Sequence, residues 1–132
     1  MRWLALVLLC LYTCVVGMLT LGSTSSVYWA YGVSDRLYSM TEAQANVALF
    51  VPAGFLLAIV LLSPAMAITA GTLGSMAIEW TQQEYLPSRV ADVHDVLHNG
   101  LGTLIGALVA IPLVWLLSRK SPVASMPRRH VS

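Results

Sequence analysis

The chain has 132 residues, of which 58% are hydrophobic and only 10% are charged, and its mean hydropathy is +0.76. Soluble domains carry about 25% charged residues, so this composition excludes an ordinary water-soluble globule and favours a membrane protein. The length suits a single domain, and the net charge of +1 gives no information about a nucleic-acid partner, so none is predicted.

The chain contains four apolar stretches, and we predict an all-α integral membrane bundle of four transmembrane helices from them. The first stretch runs too far for a signal peptide and has no cleavage motif after it, so we expect an uncleaved span. The four stretches together predict a membrane domain over residues 1–117, and the sequence that follows predicts a disordered basic tail over 118–132. The stretches are Trp3–Leu21, Asn46–Leu62, Ala65–Trp80 and Asn99–Leu117.

The basic residues predict the orientation of these spans, because lysine and arginine are enriched on the cytoplasmic side. Only Arg36 and Arg89 fall on the other side, together with all six acidic residues. We therefore expect a multi-pass protein of a bacterial plasma membrane with both termini in the cytoplasm. The residues on the cytoplasmic side are Arg2, Arg119, Lys120, Arg128 and Arg129.

Polar residues gather at the predicted outer ends of the second, third and fourth spans. Charges at membrane depth are costly and tend to face the bundle interior or a wet cavity. One interpretation is a shared outward-facing binding site, and the other is a set of helix ends that water hydrates. The candidate ligand-binding residues are Asn46, Glu79, Gln82, Arg89, Asp95 and Asn99.

Small residues at intervals of four predict where two of the helices meet. Gly102 and Gly106 continue to Ala110 in the fourth span, and Gly71 lies between Ala67 and Ser75 in the third. We predict that these two ridges pack together, which would bring the outer ends of both spans into contact.

No metal and no cofactor are predicted. His94 and His98 are four residues apart, but there is no H-E-x-x-H arrangement and the nearby acids mostly lie on another helix face. Cys10 and Cys14 lie inside the first apolar stretch, where both are expected to be small packing residues.

Two blocks of sequence resemble a known family. The first is Asn46-Val-Ala-Leu-Phe50-Val-Pro52-Ala-Gly54-Phe, and the second places Glu79-x-x-Gln82 before Arg89 and Asp95-Val-Leu-x-Asn99-x-x-Gly102-x-x-x-Gly106. Both are similar to motifs of the VanZ-like family of bacterial membrane proteins, over a little under half of the chain. His98 stands where the family pattern has a small or apolar residue.

The resemblance implies an envelope protein connected with susceptibility to the glycopeptide teicoplanin, which acts outside the membrane on cell-wall precursors. Our leading hypothesis is that the outer residues bind a lipid headgroup or a cell-wall precursor, with Arg89 at its anionic part.

The alternative is an intramembrane enzyme in which Glu79 and Asp95 form a carboxylate pair, one acting as acid and one as base. A transporter subunit would require an oligomer and a cytoplasmic polar cluster. Membrane lipids, a precursor, the glycopeptide and further copies of the chain are the partners considered.

Overall fold

A computed structural model describes residues 1–21, 42–85 and 92–119, and all regular secondary structure in these ranges is helical. The prediction of an all-α protein is confirmed for this part of the chain. The helices are α1 (Arg2–Leu21), α2 (Glu42–Leu61), α3 (Pro64–Tyr85), α4 (Val93–Val109) and α5 (Ile111–Arg119).

A tight turn joins α2 to α3. Leu62 takes a left-handed backbone conformation with φ of 53°, which is unfavourable for a side chain of this size. The Ser63 hydroxyl oxygen then accepts the Met66 N–H at 3.3 Å, and Pro64 occupies the first position of the helix, where an N–H would have no partner. The turn therefore makes α2 and α3 antiparallel neighbours.

Three helices extend several residues beyond the apolar stretches that predicted them, and α2 begins at Glu42 instead of Asn46. The structure continues α3 to Tyr85 and starts α4 at Val93, six residues before the predicted span. Hydropathy detects where a segment enters hydrocarbon, whereas a helix continues for as long as its backbone and caps are satisfied. The polar turns added in this way hold several of the candidate site residues.

The predicted fourth span is not one continuous helix. It is broken at Ala110 into α4 and α5, whose axes differ by 49°. Pro112 lies just after the break and has no N–H to donate to the carbonyl of Leu108, so a straight helix would lose a hydrogen bond here. The helix α5 ends at Arg119, whose guanidinium lies 3.5 Å from the centroid of the Trp115 ring. The remainder of the predicted tail lies outside the described residues.

By length and hydropathy, α1 and α2 are candidate membrane spans, and the bent pair α4–α5 counts as a third if it crosses as one unit. These spans indicate a membrane protein. The third predicted span does not pass the same test, because threonines, glycines and polar residues such as Ser75, Glu79 and Gln82 interrupt the apolar residues of α3. These three side chains are buried against neighbouring helices.

The core lies between α2, α3 and α4 and consists largely of small side chains. Ala58, Ala67, Ala107 and Ala110 are completely buried, and such residues allow helix backbones to approach closely. The first helix packs mainly against α2. Its Arg2 side chain donates to the Val60 carbonyl oxygen at 3.0 Å, so the start of α1 lies beside the end of α2.

The predicted pairing of the two small-residue ridges is wrong for Gly102 and Gly106. Both glycines face α2: a Cβ on Gly102 would meet the Val47 carbonyl oxygen, and a Cβ on Gly106 would meet the Val51 carbonyl oxygen. Gly71 does face α4, but its neighbour there is Thr103, whose hydroxyl oxygen would lie 2.6 Å from a Cβ on Gly71. The α3 ridge therefore packs against Thr103 on α4, whereas Gly102 and Gly106 pack against α2.

Candidate functional site

Polar side chains line the inner face of α3 near its C-terminal end. Ser75, Glu79 and Gln82 follow one another at helical spacing and are exposed by 0%, 8% and 5% respectively. They continue the stripe that begins with Ala67 and Gly71, so the same face changes from small apolar residues to polar ones. Polar groups buried in this way require partners within the protein.

Glu79 joins the end of α3 to the start of α4. Its Oε2 atom accepts the backbone N–H of Asp92 at 3.1 Å. The sequence predicted that Glu79 would lie near Asp95, and the contact that the structure shows is with the backbone three residues earlier. The Glu79 carboxylate thus helps to position the first turn of α4.

Asn99 joins α4 to α3 one turn deeper in the bundle. Its Nδ2 atom donates to the Ser75 hydroxyl oxygen at 2.8 Å, and its backbone oxygen accepts the Thr103 hydroxyl at 3.0 Å. The side chain is 5% exposed, and its Oδ1 atom is buried without a hydrogen-bond partner in the described part of the chain. This oxygen is an available hydrogen-bond acceptor among the buried polar side chains of α3 and α4.

Gln82 connects the C-terminal end of α3 to the first helix. Its Nε2 atom donates to the Thr20 carbonyl oxygen at 2.8 Å, close to the C-terminal end of α1. This bond satisfies one of the carbonyls that a helix end leaves without an intrahelical partner. The sequence pointed to Gln82 but contained no signal for Thr20, because a backbone acceptor has no residue signature.

The remaining predicted residues are less central or lie outside the described ranges. Asp95 is half-buried in the first turn of α4, and its N–H donates to the Asp92 carbonyl oxygen at 3.0 Å. Asn46 is half-buried on α2, four residues before the buried Phe50. Arg89 lies outside the described residues. We define the polar cluster as Ser75, Glu79, Gln82 and Asn99.

The first turn of α4 carries a charged cap at the edge of the polar cluster. Asp92 is the N-cap residue, and its Oδ1 atom accepts the His94 N–H at 2.8 Å and lies 2.8 Å from His94 Nδ1. The donated backbone N–H, followed by the imidazole, lowers the pKa of the Asp92 carboxyl below its ordinary value of 3.8.

This cap predicts a specific acid sensitivity. A carboxyl whose folded-state pKa is lowered stabilises the fold above its unfolded pKa, and that stabilisation is lost as the pH falls from 3.8 through the lowered value. We expect Asp92→Asn to have a melting temperature that falls less than that of the wild type between about pH 6 and about pH 3. Thermal melts in detergent measure this, with the exposed Glu84→Gln as control. Parallel melting curves for Asp92→Asn and the wild type would contradict it.

A shallow open groove of about 410 Å³ lies between the first turns of α2 and the start of α4. It is lined by Ala43, Gln44, Val47, Ala48 and His98. The predicted site residues do not line it, although His98 is the residue next to Asn99. The groove was not predicted from sequence, because it arises from the way two helices cross.

Within residues 1–21, 42–85 and 92–119, no three His, Cys, Asp or Glu side chains come together as metal ligands would. The described cluster instead combines a carboxylate, two amides and a hydroxyl. Such groups can hold an uncharged polar group of a ligand through hydrogen bonds.

The fold and the polar cluster define a small helical membrane protein with a buried polar site at one end of its bundle. The sequence profile of the VanZ/LLP1 family matches residues 4–117, and the chain belongs to this family. The resemblance seen in the motifs is thereby confirmed over most of the chain. Comparison with curated proteins and with solved structures finds no match.

Proposed function

We propose that this chain is a multi-pass protein of the bacterial plasma membrane whose outward-facing polar cluster binds a lipid headgroup or a lipid-linked cell-wall precursor. The observation that carries the proposal is Asn99, which is buried at the end of an apolar bundle and whose Oδ1 atom has no partner among the described residues. An unsatisfied buried acceptor costs about 1–3 kcal/mol, so a protein that retains one gains when a ligand satisfies it. Through this ligand the chain would affect susceptibility to teicoplanin.

The proposed topology has four spans and both ends in the cytoplasm. The third helix has 22 residues, which gives a length of about 33 Å and is enough to cross the hydrocarbon core. Its polar residues are buried between helices, so they do not face lipid. The Arg2–Val60 hydrogen bond and the burial of both Ala5 and Val114 in one core cluster support a common side for the two termini.

Cysteine labelling tests this topology. In a background without Cys10 and Cys14, we expect Tyr85→Cys to react with a membrane-impermeant maleimide in intact cells, because Tyr85 is 74% exposed at the outer end of α3. Ser118→Cys, near the other end of the bundle, should react only after the membrane is permeabilised. Reaction of Tyr85→Cys from the cytoplasmic side alone would contradict the four-span topology.

Site variants test the proposed function through teicoplanin susceptibility, with the expression of each variant checked. Arg89→Ala should abolish the phenotype that the wild-type gene confers, because it removes the basic residue of the loop between the third and fourth spans. Asn99→Ala should have a milder effect, since it removes an amide and no charge. His94→Ala and Glu84→Ala, both at exposed positions, should behave like the wild type.

A wild-type phenotype in Arg89→Ala together with a loss in His94→Ala would place the site elsewhere and favour a metal.

The enzymatic alternative requires Glu79 and Asp95 to act as an acid and base pair. The Glu79 carboxylate accepts the Asp92 N–H, which is a positioning contact, and this supports binding as the main role of the cluster.

A further inference from the structure

Two neighbouring residues of α4 present buried polar atoms that have no hydrogen-bond partner in the described ranges. One is Oδ1 of Asn99, and the other is Nδ1 of His98. Other buried side chains of the cluster are bonded: Gln82 donates to Thr20, and the Ser75 hydroxyl accepts from Asn99. The two open atoms therefore belong to consecutive residues near the start of α4.

The chemistry of these atoms restricts the group that would satisfy them. The side-chain oxygen of Asn99 can only accept hydrogen bonds, and the bond that the amide nitrogen donates to Ser75 fixes the orientation of the amide. The His98 Nδ1 atom accepts or donates according to the tautomer of the ring. A hydroxyl group both donates and accepts, so it can donate to the amide oxygen and accept from His98 Nδ1 in the tautomer that carries its proton there. A phosphate oxygen only accepts and cannot satisfy Asn99.

The groove beside His98 supplies a lateral approach to this position. Its walls come from α2, at Ala43, Val47 and Ala48, and are mostly small and apolar. His98 is half-buried at its edge, whereas Asn99 lies deeper. A polar group attached to a lipid in this groove would meet His98, the residue next to Asn99 in α4.

We infer that the polar cluster selects a ligand bearing a hydroxyl group, which donates to Asn99 Oδ1 and has His98 Nδ1 as its second contact. This inference rests on the proposed function and adds the class of headgroup. Two envelope sources share the chemistry: the glycerol headgroup of a phospholipid, and the sugar of a lipid-linked precursor.

Binding of matched lipids to the purified full-length protein in detergent tests the inference. Phosphatidylglycerol and phosphatidylethanol carry the same charge, but only the first has hydroxyl groups in its headgroup. A polyprenyl pyrophosphate with an attached sugar and the same lipid without the sugar form the second pair. We expect the hydroxyl-bearing member of at least one pair to bind about tenfold more tightly or better, and the preferred pair identifies the source.

Variants then assign the preference to the two residues. Asn99→Leu has a similar shape but no acceptor, and it should lose the preference for the hydroxyl-bearing lipid. Asn99→Asp keeps an acceptor oxygen and should retain it in part, while His98→Phe should reduce it less than Asn99→Leu does. Thr81→Val is the control, because the Thr81 hydroxyl donates to the Ala77 carbonyl oxygen in its own helix at 2.7 Å.

The outcomes separate this inference from the proposed function. Equal affinity within both lipid pairs would overturn the hydroxyl selection but leave lipid-headgroup binding in place. Binding of none of the four lipids would overturn the proposed function and this inference with it. If Asn99→Leu does not fold, the comparison of lipids on the wild-type protein still decides the question.

Discussion

Gly106→Leu is expected to prevent stable folding of the bundle. A Cβ at this position would meet the Val51 carbonyl oxygen and lie 2.7 Å from the Phe55 backbone nitrogen, both in α2. Backbone atoms cannot move aside as a flexible side chain does, so α2 and α4 would have to separate along their main contact. Overpacking of a core costs about 1–3 kcal/mol, and we expect a loss at the upper end of this range or beyond it.

Two controls isolate this close approach from other effects of leucine. Gly74→Leu makes the same substitution in α3 where a Cβ would have no neighbour within 4 Å, and Leu108→Ala changes a side chain that is 51% exposed. We expect each to change the stability by about 0.5 kcal/mol or less. Unfolding in detergent, followed by circular dichroism, measures all three. Equal stability of Gly106→Leu and Gly74→Leu would show that the α2–α4 contact does not depend on glycine.

Glu79→Leu is expected to abolish the envelope phenotype and to destabilise the protein. The substitution leaves the Asp92 N–H without the carboxylate that accepts it at 3.1 Å, and it places an apolar side chain within the polar cluster. Loss of a buried hydrogen-bond partner costs about 1–3 kcal/mol, and displacement of the first turn of α4 would also disturb the helix that carries Asn99.

Glu79→Gln separates the charge from the hydrogen bond. Its amide oxygen can still accept the Asp92 N–H, so we expect it to fold with nearly wild-type stability while the phenotype is reduced. Glu84→Gln, at an exposed position of the same helix, is the matched control and should be silent. Teicoplanin susceptibility and melting temperature are the two measurements. A wild-type phenotype in Glu79→Leu would remove Glu79 from the site.

Much of the fold could be predicted from local sequence. The first, second and fourth apolar stretches are long enough to indicate helices that can cross a membrane, since about 20 residues span about 30 Å of hydrocarbon. The motif around Asn46 and the series from Glu79 to Gly106 were sufficient to indicate the family. The helix ends were harder to predict, because Tyr85 and Val93 lie in polar sequence that hydropathy assigns to a loop.

The candidate site was predicted as a set of residues but not as a set of contacts. The spacing of Gly102 and Gly106 indicated a close helix contact, but their partner proved to be α2. A small residue allows any backbone to approach, and its spacing carries no information about which one does. Asn99 was recognised from its position at the start of an apolar stretch, whereas its bond to Ser75 depends on how α3 and α4 cross.

The sequence by itself determined the helical class, the apolar segments, the family and the polar residues at one end of the bundle. Each of these depends on composition or on spacing along a single helix, where the period of 3.6 residues relates sequence to geometry. Only the tertiary structure decided that Glu79 accepts from Asp92, that Gln82 reaches Thr20 and that Asn99 keeps an unpartnered oxygen. These contacts depend on the separation and rotation of neighbouring helices, which the whole packed bundle sets together.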